Sequence, residues 1–436
     1  MTWQELVFRI NGYPLAKAKA DLVKIQSMED KDFVKYQQDA AMSIARHHYE
    51  ANEFYRAKVK GPFPQRWEDL PVLEKTDYQM PLERMIAKDF LNKKLFTSKT
   101  SGSSGHPMYF ARDGYGHARN WAYVMQRYQE LGIPVGCRTA WFYGIPKEFF
   151  LHWKERFKDW LMNRFRFVVF DLSDKALEKV VDKFTRDPFE GVYGYTHSIV
   201  YFAKYLLKTN RVLNSICPSL RCVIVTSEVC TQEDRNTMQK AFGVPVKSEY
   251  GASEFGYIGY DIGHDRWRIA RENLLVEILP VDGLSLQEYG GRVVVTDFNN
   301  KAFPFVRFSI GDIATLEQEP GSPVADVLTR LMGRTNDMAI LPSGKVVPGL
   351  VFYYVSKSII EKAKGIRQYV IRQRTKNTFE FIIEATHKLD REVEIAIERD
   401  ITGYLEDGLQ VQYVYVTSIQ KATNGKIKHF YSEVEA

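Results

Sequence analysis

Residues 192–242 read VYGYTHSIVYFAKYLLKTNRVLNSICPSLRCVIVTSEVCTQEDRNTMQKAF. Val192–Tyr195 and Cys222–Thr226 are short apolar runs of strand character. Ile199–Lys208 and Gln232–Phe242 follow them with helical length and spacing. Strand, helix, strand, helix in succession predicts a layered α/β domain with a largely parallel sheet. Working outward, the rhythm continues toward the N-terminus. Leu95–Ser98, Thr139–Tyr143 and Phe165–Phe170 read as strands, and Asp174–Phe184 as a helix. From Asn273 to Asp312 the pattern changes. Leu274–Leu279, Gly291–Thr296 and Phe305–Ser309 read as strands joined by turns, which predicts a β-rich subdomain. Residues 1–60 read as helical, with Phe33, Tyr36, Ala40, Ile44, Ala51 and Tyr55 at helical spacing until Pro62, Pro64 and Pro71 break it.

A boundary is expected near Gly333–Asp337, dividing the chain into 1–335 and 336–436. Beyond it, Phe352–Lys362 and Arg391–Tyr404 read as helices. Gln368–Gln373, Thr378–Glu384 and Val411–Thr417 read as strands, the first two paired. The expected fold is therefore α/β: a large N-terminal domain of mixed or parallel sheets with a β-rich subdomain, then a small C-terminal α+β domain.

Composition narrows the function classes. A chain of 436 residues suggests about two or three domains. Lys+Arg is 60 and Asp+Glu is 54, a net charge of +6. The surplus is small and not gathered into blocks, which argues against a dedicated nucleic-acid binder. No apolar run approaches the ~20 residues of a membrane helix, so no membrane span is expected. The opening MTWQELVFRINGYPLAKAKA lacks the apolar core of a signal peptide, and the expectation is a cytoplasmic protein. Cys137, Cys217, Cys222 and Cys230 form no CxxC pair and read as buried free thiols. No GxxxxGK[ST] occurs, which disfavours a P-loop ATPase or kinase.

Five short stretches carry chemistry. Thr100-Ser101-Gly102-Ser103-Ser104-Gly105-His106-Pro107 follows a strand-like segment. Its glycines allow close backbone approach, successive N–H groups can form an anion nest, and its hydroxyls add neutral donors. Together these suit a polyphosphate; the bland alternative is a flexible loop. Glu249-Tyr250-Gly251-Ala252-Ser253-Glu254 comes next. Arg307-Phe308-Ser309-Ile310-Gly311-Asp312 and Gly333-Arg334-Thr335-Asn336-Asp337 follow, and Asn424-Gly425-Lys426 stands near the end. Each of these four alone reads as a turn.

In this order in one chain, the five stretches resemble the adenylate-forming superfamily of acyl-CoA synthetases, firefly luciferases and peptide-synthetase adenylation domains. Within it, Phe54-Tyr55-Arg56, Leu70-Pro71-Val72-Leu73-Glu74-Lys75, Phe303-Pro304-Phe305-Val306-Arg307 and Met332–Met338 are most similar to the phenylacetate–CoA ligase and CapK-like branch. The resemblance runs from about residue 50 to the end. It implies a large adenylation domain and a small mobile lid. It also implies ATP-dependent activation of a small, aryl-type carboxylic acid to an acyl-adenylate, then thioester formation with CoA. A carrier protein or an amine in polysaccharide or secondary-metabolite assembly is the alternative acceptor. A nucleotide-binding protein without turnover is the alternative from another class. Members of the branch are often dimers, which implies a homodimer.

The resemblance also assigns residues. Thr100, Ser101, Gly102, Ser103, Ser104 and Gly105 would hold the ATP phosphates. Ser227 and Glu228 would line the nucleotide pocket, and Tyr250, with Gly251 beside it, would stack on adenine. Ser253 would touch the α-phosphate and Glu254 would bind Mg²⁺. Asp312 would accept from the ribose hydroxyls, with Arg334 beside it. Lys426 would reach the α-phosphate and carboxylate oxygens during adenylation. The acyl pocket would involve Tyr143, Tyr195 and His197, with Trp141 and Phe142 as further aromatic candidates. Core packing is the competing reading of these side chains. The Ser343-Gly344-Lys345 turn is a candidate CoA contact, and the pair His47 and His48 is a weak ligand candidate. Three departures stand out. Met108 replaces the usual lysine after Pro107, and Asn336 occupies the usual acidic or lysine hinge position. Tyr257–Asn273 contains His264 but no cysteine, so no zinc is expected.

Overall fold

A computed structural model of the chain describes residues 3–100, 108–144, 149–168, 173–334, 337–352, 355–356, 360, 366–419 and 428–434. It contains two compact units. The first comprises Met1–Val276, Val294–Ser309 and Glu317–Leu328; the second comprises Glu277–Val293, Ile310–Leu316 and Thr329–Ala436.

The first unit opens with the helices Trp3–Ile10, Leu15–Gln26, Asp30–Ala51 and Glu53–Val59. The long helix stops at Asn52, whose side chain accepts from the Tyr55 N–H at 3.1 Å and so caps the next helix. A hairpin follows, β1 (Phe96–Lys99) against β2 (Tyr109–Arg112). Four parallel strands come next: β3 (Thr139–Tyr143), β4 (Arg164–Val168), β5 (Gly191–Tyr195) and β6 (Cys222–Thr226). β7 (Val246–Ala252) continues the parallel set beside β6. β8 (Gly256–Gly263) and β9 (Arg266–Ile269) then add antiparallel strands. Strands β10 (Leu274–Leu279), β11 (Gly291–Asp297), β12 (Phe308–Glu317) and β13 (Val327–Arg334) contribute residues to both units. The sheet order is β10-β11-β12-β13-β9-β8-β7-β6-β5-β3-β4.

The two faces of the parallel strands are buried differently. Ala140, Phe142, Val192, Val223, Val225 and Val246 point into one core with Leu177, Phe184, Phe202, Leu206, Met238 and Phe242 of the helices Asp174–Arg186, Thr196–Lys208 and Gln232–Phe242. On the other face, Cys222 and Ile224 pack with Tyr128 and Leu131 from the end of helix Gly114–Glu130. Residues two apart on a strand share a face, so Trp141 and Tyr143, like Tyr193 and Tyr195, fall on one side. The α/β class expected from sequence is the one observed.

In the second unit, β14 (Met338–Ile340) pairs with β15 (Val346–Pro348). A four-stranded sheet holds β16 (Ile366–Gln373), β17 (Thr378–Ala385), β18 (Gln410–Val416) and β19 (Phe430–Ser432), in the order β18-β17-β16-β19. The helix Arg391–Tyr404 buries Ile397 and Ile401. Phe352 stacks on Phe379 at 4.1 Å and on Phe430 at 5.7 Å.

Two details differ from the sequence expectation. The strand placed at Phe305–Ser309 begins at Phe308 and runs to Glu317. Arg307 has φ +47°, and its guanidinium donates to the carbonyls of Leu70 (2.7 Å) and Glu68 (2.9 Å), so residues 305–307 lock a loop instead of extending a ladder. Cys137 is half-buried, while the other three thiols are buried as expected.

Gly194 sets the spacing of β3 and β5, because a Cβ there would lie 2.4 Å from the Phe142 carbonyl oxygen. Gly194→Ala should lower the unfolding free energy by more than about 2 kcal/mol. The check is a urea melt, with a reduced midpoint expected; an unchanged midpoint would mean that the strands separate freely.

Candidate active site

In a parallel sheet the strand C-termini form the edge where ligands bind. Here that edge collects Tyr143 on β3, Tyr195 on β5, Thr226 on β6 and Glu249 on β7. Tyr195 pairs with Thr226, and Thr226 with Glu249. Just past β6, Ser227 is exposed with φ +72°, a left-handed conformation that non-glycine residues rarely adopt. Glu228 turns back to the helix Thr196–Lys208. Its carboxylate accepts the His197 N–H at 2.9 Å, and its carbonyl accepts the Thr196 hydroxyl at 3.2 Å. Glu228 thus serves one of the unpaired N–H groups at a helix start.

Thr100 is the one member of the Ser/Gly loop within the described residues; Ser101–Pro107 lie outside them. Its N–H donates to the Met108 carbonyl at 2.9 Å, and its hydroxyl oxygen accepts the Met108 N–H at 3.0 Å. That clasp closes the base of the loop. Met108 is buried at 1 % exposure and faces the core.

Tyr250 is buried, and Gly251 occupies a bulge between β7 and β8. A Cβ on Gly251 would lie 2.3 Å from the Gly256 carbonyl oxygen, so only glycine fits. Ser253 is exposed and Glu254 half-buried on the following turn. Their backbone carbonyls point to Arg112, which donates to Glu254 O at 3.2 Å through Nε and to Ser253 O at 3.4 Å through Nη2. Arg112 is itself buried at the far end of β2, within the hairpin and opposite Phe96. Burial pushes its pKa down, and Asp297 and Glu254 oppose that shift. Burial also pushes the Asp297 carboxyl up to about 6, against the pull of Arg112. Sequence reasoning missed Arg112. The available signal was a charged residue closing the short apolar run 109–111 after the Ser/Gly loop.

The aromatic residues form one cluster. The Tyr143 ring lies 4.4 Å from Tyr195 and stacks on Tyr193 at 5.7 Å. Trp141 lies 4.8 Å from Tyr193. Burial among these rings pushes the Tyr143 hydroxyl pKa up. His197 is half-buried, its ring 5.9 Å from Tyr201. Phe142 faces the opposite core at 1 % exposure and leaves the candidate set. Tyr193 and Tyr128 were not singled out from sequence, and Glu249 was quoted in its motif without a role.

In the second unit, Asp312 Oδ1 lies 3.6 Å from Arg334 Nε, so the expected neighbours are brought together. Ser343, beside Lys345, donates its hydroxyl to Glu406, and Lys345 pairs with Glu288 at 3.3 Å. Lys426 and Asn336 lie outside the described residues; Lys428 pairs with Asp337 at 2.5 Å. His48 is buried, its Nε2 donates to the Asn300 carbonyl at 3.0 Å, and burial lowers its pKa to about 3. It packs as a neutral core residue. His47 meets the Lys301 carbonyl at 2.9 Å.

Replacing Arg112 by Met strips the Ser253 and Glu254 carbonyls of their donor and leaves Asp297 without its cation. The expected loss is about 3 kcal/mol or more in a urea melt, because a buried charge loses its partner. A loss below about 1 kcal/mol would mean that the turn is held by other contacts.

No protein-family model matches the sequence. Protein CapK of Staphylococcus aureus is 26% identical over 278 residues, covering 62% of this chain and 59% of CapK. The chain thus matches less than two thirds of that relative's length. Among solved structures, a 2-hydroxyisobutyryl-CoA ligase in its postadenylation state superposes with TM-score 0.64 at 16% identity, over 93% of this chain and 91% of that one. ATP-bound MatB from Rhodopseudomonas palustris gives TM-score 0.53 at 15% identity, over 76% and 65% of the two chains. An anthranilate CoA ligase, AuaEII, bound to anthranoyl-AMP gives TM-score 0.52 at 14% identity, over 76% and 64%. The chain has the fold of these adenylate-forming acid–CoA ligases, and in sequence it is similar to Protein CapK.

Proposed function

We propose that this chain is an ATP-dependent ligase that converts a small carboxylic acid to an acyl-adenylate and then to a CoA thioester. The observation that carries the reading is the Arg112 clamp. It ties the hairpin bearing the Ser/Gly loop to the turn bearing Ser253 and Glu254. The base of the hairpin that bears the Ser/Gly sequence and a carboxylate turn are thereby joined beside the C-terminal edge of a parallel sheet, the edge where ligands bind in such sheets.

In the first step a carboxylate oxygen of the acid attacks the α-phosphorus of ATP. The P–O bond to the β-phosphate breaks and pyrophosphate leaves. The transition state is anionic, so fixed donors and cations lower the barrier. Thr100, Ser101, Gly102, Ser103, Ser104 and Gly105 hold the departing phosphates. Ser253 donates to the α-phosphate, and Lys426 neutralises charge on the reacting oxygens. Tyr250 and Gly251 shape the adenine site beside Ser227 and Glu228, and Asp312 with Arg334 holds the ribose. The Glu254 carboxylate suits Mg²⁺, which takes one or two carboxylates together with phosphate oxygens. When bound, the ion neutralises phosphate charge. In the second step the CoA thiolate attacks the acyl carbon and AMP leaves. Residues 336–436 act as the lid, which moves Lys426 away between the steps. The rings of Tyr143, Tyr195, Trp141 and Tyr193 support an aryl acid as substrate.

ATP–pyrophosphate exchange with a panel of aryl and aliphatic acids, without CoA, tests the reading. Exchange dependent on one class of acid is the expected result, and no exchange with any acid despite ATP binding would favour a silent nucleotide binder. Lys426→Ala should abolish exchange yet spare thioester formation from supplied acyl-AMP. Equal loss of both half-reactions would contradict its assigned role. Glu254→Gln should cut exchange roughly 10²-fold or more, read at saturating ATP and Mg²⁺.

A further inference from the structure

Glu249 has no part in the steps above, yet it stands at the same strand edge. It is the last residue before Tyr250, and β-strand alternation turns its side chain to the face opposite Tyr250. That face carries Trp141, Tyr143 and Tyr193, and Tyr128 from helix Gly114–Glu130. One carboxylate oxygen, Oε2, accepts the Tyr193 hydroxyl at 3.1 Å. The other, Oε1, is buried without a hydrogen-bond partner among the described residues. Burial pushes the carboxyl up to about 7, while the Tyr128 and Tyr193 hydroxyls pull it down. Among the described residues, no cation acts on it.

A buried carboxylate oxygen without a donor is costly. A carboxylate set among aromatic rings next to a proposed adenylate site, with one oxygen unpaired, calls for a donor from the ligand. Apolar rings receive a planar or apolar body, and the carboxylate receives a polar tip. We infer that Glu249 forms the far end of the acid-binding site and selects acids bearing an N–H or O–H donor remote from their carboxylate. This rests on the acid-activating reading above. A site built to receive a donor rejects the analogue lacking it, because its own polar group is then left unpaired.

The test uses benzoate and its 3- and 4-substituted methyl, hydroxy, amino and aminomethyl forms. Each acid is measured by calorimetric binding and by ATP–pyrophosphate exchange, on the full chain and on Glu249→Gln and Glu249→Leu. The donor-bearing acids should exceed their methyl counterparts by about tenfold or more in the unaltered protein. Glu249→Leu should erase or reverse that ratio. Glu249→Gln, close in shape, should keep part of the hydroxyl preference and lose the preference for the aminomethyl cation. Exchange that ignores the donor, with the same ratio in all three proteins, overturns the inference and leaves the ligase reading intact. Donor-selective binding that depends on Glu249 without any exchange supports the inference and overturns the ligase reading. Neither binding nor exchange with any acid overturns both.

Discussion

The interaction on which the candidate site depends is the buried guanidinium of Arg112. It joins two segments far apart in sequence, the hairpin that launches the Ser/Gly loop and the turn after Gly251. The arrangement works because main-chain carbonyls cannot drift as side chains do. A planar guanidinium with several donors in a fixed fork can satisfy both carbonyls at once. Asp297 lies close enough to offset part of its burial cost. Asp113, the next residue, caps the helix Gly114–Glu130 by accepting from Tyr115 N–H (2.8 Å) and Gly116 N–H (2.9 Å). Asn300 adds a bond from its side-chain amide to the Ala111 carbonyl at 2.9 Å. One short run of chain, residues 108–116, thus closes the loop base, starts a helix and tethers the distant carboxylate turn.

A second constraint is steric. Gly194 and Gly251 sit where a Cβ would strike a neighbouring backbone oxygen, at 2.4 Å and 2.3 Å. The first lets β3 and β5 approach so that the rings of Tyr143 and Tyr195 meet. The second permits the bulge that turns Ser253 and Glu254 out of the strand. Ser227 meets the opposite demand, a left-handed backbone held by a residue with a side chain. Strain of this kind persists only where surrounding structure enforces it, and it gathers at binding edges. The Glu228 bond to the His197 N–H is one such restraint.

The alternation of apolar strands and helices was legible in residues 192–242 because each element is long enough to show its own period. Cys222–Thr226, Gln232–Phe242 and Arg391–Tyr404 have the bounds the sequence suggests. The strand at Phe305 was misplaced because Arg307, an ordinary polar residue in the sequence, is a buried tether that bends the chain. Phe142 was read with Trp141 and Tyr143 because adjacency in sequence hides the two-residue alternation that sends it to the opposite face. Arg119 gives no warning at all. It is 1 % exposed inside a helix, bonded to Asn273 at 2.7 Å.

By itself the sequence determined the elements, their α/β order and the motifs that resemble an adenylate-forming ligase. These depend on local properties: side-chain period, turn chemistry and short runs of glycine and hydroxyl residues. Only the tertiary structure decided which buried charges hold the motifs, which face each ring occupies, and that Glu249 stands among tyrosines with one oxygen unpaired. Those facts depend on partners tens to hundreds of residues away. The energy of a buried charge is set by what surrounds it in space, which the sequence does not display.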